Sequence, residues 1–115
     1  FQPDDPRPDQ VPVVIFLHGW GGTEPRVYGA WIQHIVRKGH IVIYPRYQDR
    51  LTTPVTEMTD STLRALTAAL DRLRSERPVR PGGDRIAWVG HSLGGNIAAS
   101  LSANYAANDL PAPAV

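Results

Sequence analysis

The sequence predicts an α/β protein in which a parallel sheet of about three strands carries helices on both faces. Short, continuous apolar runs rich in β-branched residues stand at Val13–Leu17, Ile41–Tyr44 and Ile86–Val89, the pattern of strands buried on both faces. Segments with helical spacing separate these runs. The two types alternate strictly along the chain, as they do in βαβ units.

Residues 1–12 read as an extended, solvated lead-in, with Pro3, Pro6, Pro8 and Pro12 set among Asp4, Asp5 and Asp9. The first strand runs straight into His18-Gly19-Trp20-Gly21-Gly22, where three glycines in five residues mark a loop whose backbone approaches something closely. Tyr28, Trp31, Ile32 and Ile35 then recur at helical spacing up to a stop near Gly39. The second strand is ended by Pro45, and Arg46–Thr53 follows as a polar loop. Leu63, Leu66, Leu70 and Leu73 mark one face of a helix from about Thr56 to Arg74. Arg72, Arg74 and Arg77 sit near its C-terminus, where the helix dipole favours cations. Pro81-Gly82-Gly83-Asp84 is a turn leading to the third strand. From Gly94 a helix with Ile97, Leu101 and Tyr105 on one side runs until Asn108-Asp109-Leu110-Pro111. The alternation thus occupies residues 13–107, and residues 108–115 are the start of a next unit. Trp31 and Trp88 are expected in the core.

Composition narrows the function classes. Hydrophobic residues make up 42% of the 115 and charged residues 20%, which is globular rather than disordered. A formal net charge of +1 gives no reason to expect a nucleic acid, an anionic membrane or an acidic substrate as partner. The apolar run Val13–Leu17 is far short of the roughly 20 residues a spanning helix needs. With no cysteine there is no disulfide or thiolate metal site, and no histidine pair has metal-ligand spacing, so neither metal nor cofactor is expected. Compartment and oligomeric state stay open.

The chemistry is carried by Gly90-His91-Ser92-Leu93-Gly94, a G-x-S-x-G pattern extended by Gly95. It follows a predicted strand and precedes a predicted helix, the setting that lets a sharp turn lift a serine hydroxyl clear of the sheet edge. Such a turn predicts strained backbone at Ser92 and no room for side chains at Gly90 and Gly94. It also sets Ser92 at a helix N-terminus, where backbone N–H groups face developing negative charge. Ser92 is therefore the candidate nucleophile. An oxyanion hole needs two donors aimed at one point. The Leu93 N–H is one. The glycine-rich loop supplies the other, with Trp20 N–H preferred and Gly19 or Gly21 as alternatives. His18 is expected to brace that loop with Gly19. His91 adjoins the nucleophile in the supporting turn, with its side chain directed elsewhere. The Trp20 side chain could line an acyl or alcohol pocket, and Tyr47 and Gln48 could reach the same mouth.

These two motifs, their order and the alternation between them resemble the α/β-hydrolase superfamily, in particular its lipases and esterases. The resemblance covers Val13 to about Tyr105 and implies that the first and third strands are neighbours in the sheet. It also implies a triad in the order serine, acid, histidine. Only 23 residues follow Ser92, so the chain is expected to be the N-terminal half of such a domain, truncated after the nucleophile helix. Phe1 in place of an initiator methionine is read as the start of a processed product, of an engineered piece or of a segment of a longer reading frame. The implied activity is cleavage of a small-molecule or lipid-like ester through an acyl-enzyme on Ser92, with residues 1–115 alone inactive. The alternative is a hydrolase-fold protein that binds or scaffolds without catalysis.

Overall fold

The computed structural model describes residues 1–4, 9–76 and 80–114. Its centre is a parallel sheet of four strands in the order β2-β1-β3-β4. Strand β1 (Gln10–Leu17) lies in the middle, and Ile15, Phe16 and Leu17 are fully buried. The period of two along a strand sorts its side chains between two layers. Val11, Val13, Ile15 and Leu17 pack with Met58, Leu66, Leu70, Ile97 and Leu101, while Val14 and Phe16 pack with Ile32 and Val42. Helices α2 (Val55–Ser75) and α3 (Leu93–Ala103) therefore cover one face, and α1 (Gly29–Arg37) covers the other.

The remaining strands are β2 (Ile41–Ile43), β3 (Arg80–Gly90) and β4 (Ala112–Pro113). β1 and β3 are neighbours from Gln10↔Arg80 to Leu17↔Gly90, as the resemblance implies. The fourth strand falls where the start of a next unit was expected; it pairs Ala112 and Pro113 with Arg85 and Ile86, and the Ala114 N–H donates to the Ile86 carbonyl at 2.8 Å. Val115 lies outside the described residues.

Several local expectations are corrected. The extended lead-in is shorter than residues 1–12, because β1 begins at Gln10 and Val11 is buried. It is also less solvated. The Phe1 ammonium donates to the Val42 carbonyl at 2.9 Å and the Val42 N–H donates back at 2.8 Å, the mutual exchange of an antiparallel pair, and Pro3 is buried. Asp5, Pro6 and Pro8 lie outside the described residues. Burial holds the Phe1 amino group below its usual pKa.

Trp31 is 47% exposed rather than core. Only Ile32 of α1 is fully buried, and the indole meets Phe16 edge-on at 5.0 Å from the flank of the contact. Trp88 is partly buried against the larger core, and its Nε1 has no partner among the described residues.

The buried stripe of α2 is Met58, Thr62, Leu66 and Leu70, with Leu63 and Leu73 on its flank. Thr62 is tolerated because its hydroxyl donates to the Met58 carbonyl at 2.8 Å. Arg72 and Arg74 do close the helix C-terminus, and each also pairs with an acid, Arg72 with Glu76 at 2.9 Å and Arg74 with Asp71 at 3.4 Å. Arg77 lies outside the described residues.

The turn at Pro81–Asp84 sits inside the span of β3. Pairing with β1 passes from Val11↔Pro81 to Val13↔Ile86, so residues 82–85 bulge out of that ladder before it resumes, while Arg85 already pairs with Ala112 on the other side. Helix α3 ends sooner than expected, giving way after Ala103 to a short 3-10 turn, Ala106–Asn108, whose exit at Asp109 is left-handed. Among the described residues no helix is long and apolar enough to cross a membrane.

Candidate functional site at the ends of β1 and β3

Ser92 stands between the last residue of β3 and the first of α3, exposed, with φ 52° and ψ −120°. A non-glycine residue there is held against its own preference, at about 1–3 kcal/mol. The surroundings explain how. A Cβ on Gly90 would lie 2.5 Å from the Gly94 carbonyl oxygen, and one on Gly94 would lie 2.5 Å from the His18 carbonyl oxygen and meet the Leu17 carbonyl as well. The start of α3 is thus pressed onto the end of β1 with no side chain between. The His91 N–H donates to the Leu17 carbonyl at 3.0 Å, and Gly94 and Gly95 donate back to His91 and Ser92 at 2.9 Å each.

The loop 18–22 ends the adjacent strand and touches this turn, since a Cβ on Gly19 would lie 2.7 Å from His91 Nδ1. Its main chain is held by side chains from elsewhere. The Gly19 N–H donates to the Tyr28 hydroxyl at 2.8 Å, and the Gly21 N–H to Gln48 Oε1 at 2.7 Å. The Tyr47 hydroxyl donates to the His18 carbonyl, and the Tyr44 hydroxyl to that of Gly22. The Gly22 N–H closes the loop on the Gly19 carbonyl at 2.9 Å. The Trp20 N–H has no partner among the described residues, and neither has the Leu93 N–H in the first turn of α3. Of the three loop amides the sequence offered as the second donor, two are engaged and Trp20 is free.

His18 is fully buried. Its Nδ1 lies 2.7 Å from the Gly19 carbonyl, an acceptor, so Nδ1 carries the proton and Nε2 is left bare without a partner among the described residues. The ring stacks on Tyr47 at 4.1 Å and 1°. Burial lowers the His18 pKa, outweighing the bond to Gly19, which raises it. Burial likewise pushes the Tyr44 and Tyr47 hydroxyls up, so both remain donors at neutral pH. His91 is exposed and turns its Nδ1 to the Tyr28 hydroxyl at 2.9 Å. The Trp20 side chain is 59% exposed and Leu51, beside Gly21, is 63% exposed.

Other candidates lie apart. His40 directly precedes β2, and Asp109 lies by Gln10 and Asp84, both at the opposite end of the sheet from Ser92. His34 is in the last turn of α1. A cavity between β2 and α2, lined by Phe1, Val42 and Arg72, is also remote from Ser92.

Sequence reasoning undervalued Tyr28, Tyr44, Tyr47 and Gln48. Tyr28 read as a helix-face residue, and Tyr47 and Gln48 read as polar-loop residues that could reach the mouth, whereas both are buried beneath the glycine loop. The one available signal was their position directly after a strand whose neighbour ends in glycines.

Comparison with known proteins adds the family. The chlorophyllase family model matches residues 4–115. A search of the curated proteins finds no match. The chain belongs to the chlorophyllase family, which is of α/β-hydrolase type and comprises hydrolases acting on esters.

Proposed function

With a chlorophyllase-family ester hydrolase as the premise, we propose that this protein is a serine esterase of lipase or carboxylesterase type, working through an acyl-enzyme on Ser92. The observation that carries the reading is the exposed serine at φ 52°, in a turn that touches the glycine loop, with the Trp20 and Leu93 N–H groups without a partner among the described residues. Ser92 Oγ attacks the ester carbonyl carbon as its proton passes to a general base. The carbonyl oxygen becomes an oxyanion, stabilised by those two donors. Each such donor is typically worth about 3–4 kcal/mol in the transition state. Collapse breaks the bond to the alcohol oxygen, which takes the proton from the base. Water, deprotonated by the same base, then attacks the acyl-enzyme carbonyl, and collapse breaks the bond to Ser92 Oγ, which takes the proton back from the base as the acid leaves.

None of the four histidines serves as that base. His18 is buried with Nδ1 given to Gly19, His91 is turned to Tyr28, and His34 and His40 lie away from the serine. The proposal therefore takes base and acid from outside residues 1–115, and these residues alone are expected to turn over esters negligibly, since losing the base can cost on the order of 10⁶ in turnover. Exposed Trp20 and Leu51 support an ester with a sizeable apolar part, and the family's name makes chlorophyll the first substrate to try. A fluorophosphonate probe on the full-length protein should label Ser92, and Ser92→Ala should abolish the labelling. Equal labelling of both proteins would overturn the assignment.

A further inference from the structure

We infer that the Tyr28 hydroxyl is a positioning group that sets the spacing between the two oxyanion donors. The inference rests on the reading of Ser92 as nucleophile. The hydroxyl bridges two segments that no other side chain joins by hydrogen bonds to both among the described residues. It accepts the Gly19 N–H at 2.8 Å and lies 2.9 Å from His91 Nδ1. Gly19 immediately precedes Trp20. His91 immediately precedes Ser92 and stands two residues before Leu93. One oxygen atom therefore ties the residue before one donor to the residue before the nucleophile. With His91 in its Nε2–H tautomer the hydroxyl donates to Nδ1 while accepting from Gly19, so both capacities are used and its orientation is fixed.

The side chain suits this work. Tyr28 ends the 3-10 turn Pro25–Tyr28, and its ring packs on Phe16 at 5.1 Å and on Tyr44 at 6.1 Å. The ring is thus anchored to the centre of the sheet while its polar end reaches the junction. A Cβ on Gly22 would lie 3.0 Å from the same hydroxyl, so the loop is wrapped around it. Tyr28 touches neither Ser92 nor the free Trp20 N–H by any bond described, and acts through Gly19 and His91.

The test reads the rate of phosphonylation of Ser92 by a fluorophosphonate in the full-length protein, because that step builds charge on an oxygen where the ester oxyanion would sit. Tyr28→Phe keeps the ring and removes the bridge. The rate constant should fall about ten- to hundredfold, the scale of a displacement of the order of 1 Å at a reacting centre, while KM for an ester changes less than kcat. His91→Ala removes the other end of the same bond and should give a similar fall. The double variant should lose no more than the larger single loss, since both remove one interaction. Wild-type rates in Tyr28→Phe, or losses that multiply in the double variant, would overturn the inference. Should Tyr28→Phe not fold, an unchanged rate in His91→Ala would overturn it alone. Failure of Ser92→Ala to abolish labelling is a different result and removes the functional reading beneath it.

Discussion

The turn 90–94 and the loop 18–22 end neighbouring strands and touch each other, yet they are held in different ways. The turn is held by main chain against main chain, with Gly90 and Gly94 pressed on backbone atoms and the His91 N–H bonded to the Leu17 carbonyl. The loop is held by side chains that come from nine to twenty-nine residues further along the sequence, the hydroxyls of Tyr28, Tyr44 and Tyr47 and the amide of Gln48. A turn that its own backbone specifies is written in its own five residues. A braced loop is written partly in segments that look unrelated to it.

The largest expected effect breaks the backbone-held side. Gly94→Ala drives a methyl group into the Leu17 and His18 carbonyls, and helix and strand must separate to admit it. A destabilisation of about 4 kcal/mol or an unfolded chain is expected by denaturant titration, in the range of severe overpacking. An unchanged midpoint would mean that the contact is not tight. On the braced side, Tyr47→Phe keeps the stack on His18 and leaves the buried His18 carbonyl without its donor. About 1–3 kcal/mol should be lost in the same titration, and a negligible loss would show that this brace does not hold the loop.

The smallest effect is a pH dependence that belongs to the loop alone. Burial lowers the folded-state pKa of His18 below its ordinary 6.5. As pH falls through about 6.5 the unfolded chain takes up a proton that the folded chain refuses, so stability contributed by neutral His18 is present above that pH and is lost below it. The midpoint of the wild type should drop between pH 7.5 and 5.5 by more than that of His18→Asn, and parallel curves would remove the buried imidazole as the cause.

The same contrast explains what could be read from the residues. The alternation and the serine turn were legible because apolar runs and glycines at a sharp bend are local signals, whereas the neighbouring of β1 and β3 came only with the family resemblance. Residues 1–12 misled because proline and aspartate suggest solvent, whereas Phe1 pairs with Val42 through its backbone, whatever its side chain. Trp31 misled because helical spacing marks a stripe but not its width. The bracing role of the tyrosines and Gln48 was hidden for a further reason. A hydroxyl that serves a distant amide leaves no pattern near itself, and only the fold shows which amide is left over.

The sheet order also has a consequence in time. Leu17 and Gly90 are paired neighbours with most of the chain between them, whereas every brace of the glycine loop lies at or before Gln48. As the polypeptide leaves the ribosome, the glycine loop that carries the proposed Trp20 donor can be fully braced while Ser92 and Leu93 are still unmade. Closing the long interval to β3 is the entropically costly event, and it brings the hydroxyl and the Leu93 amide together to a loop already braced.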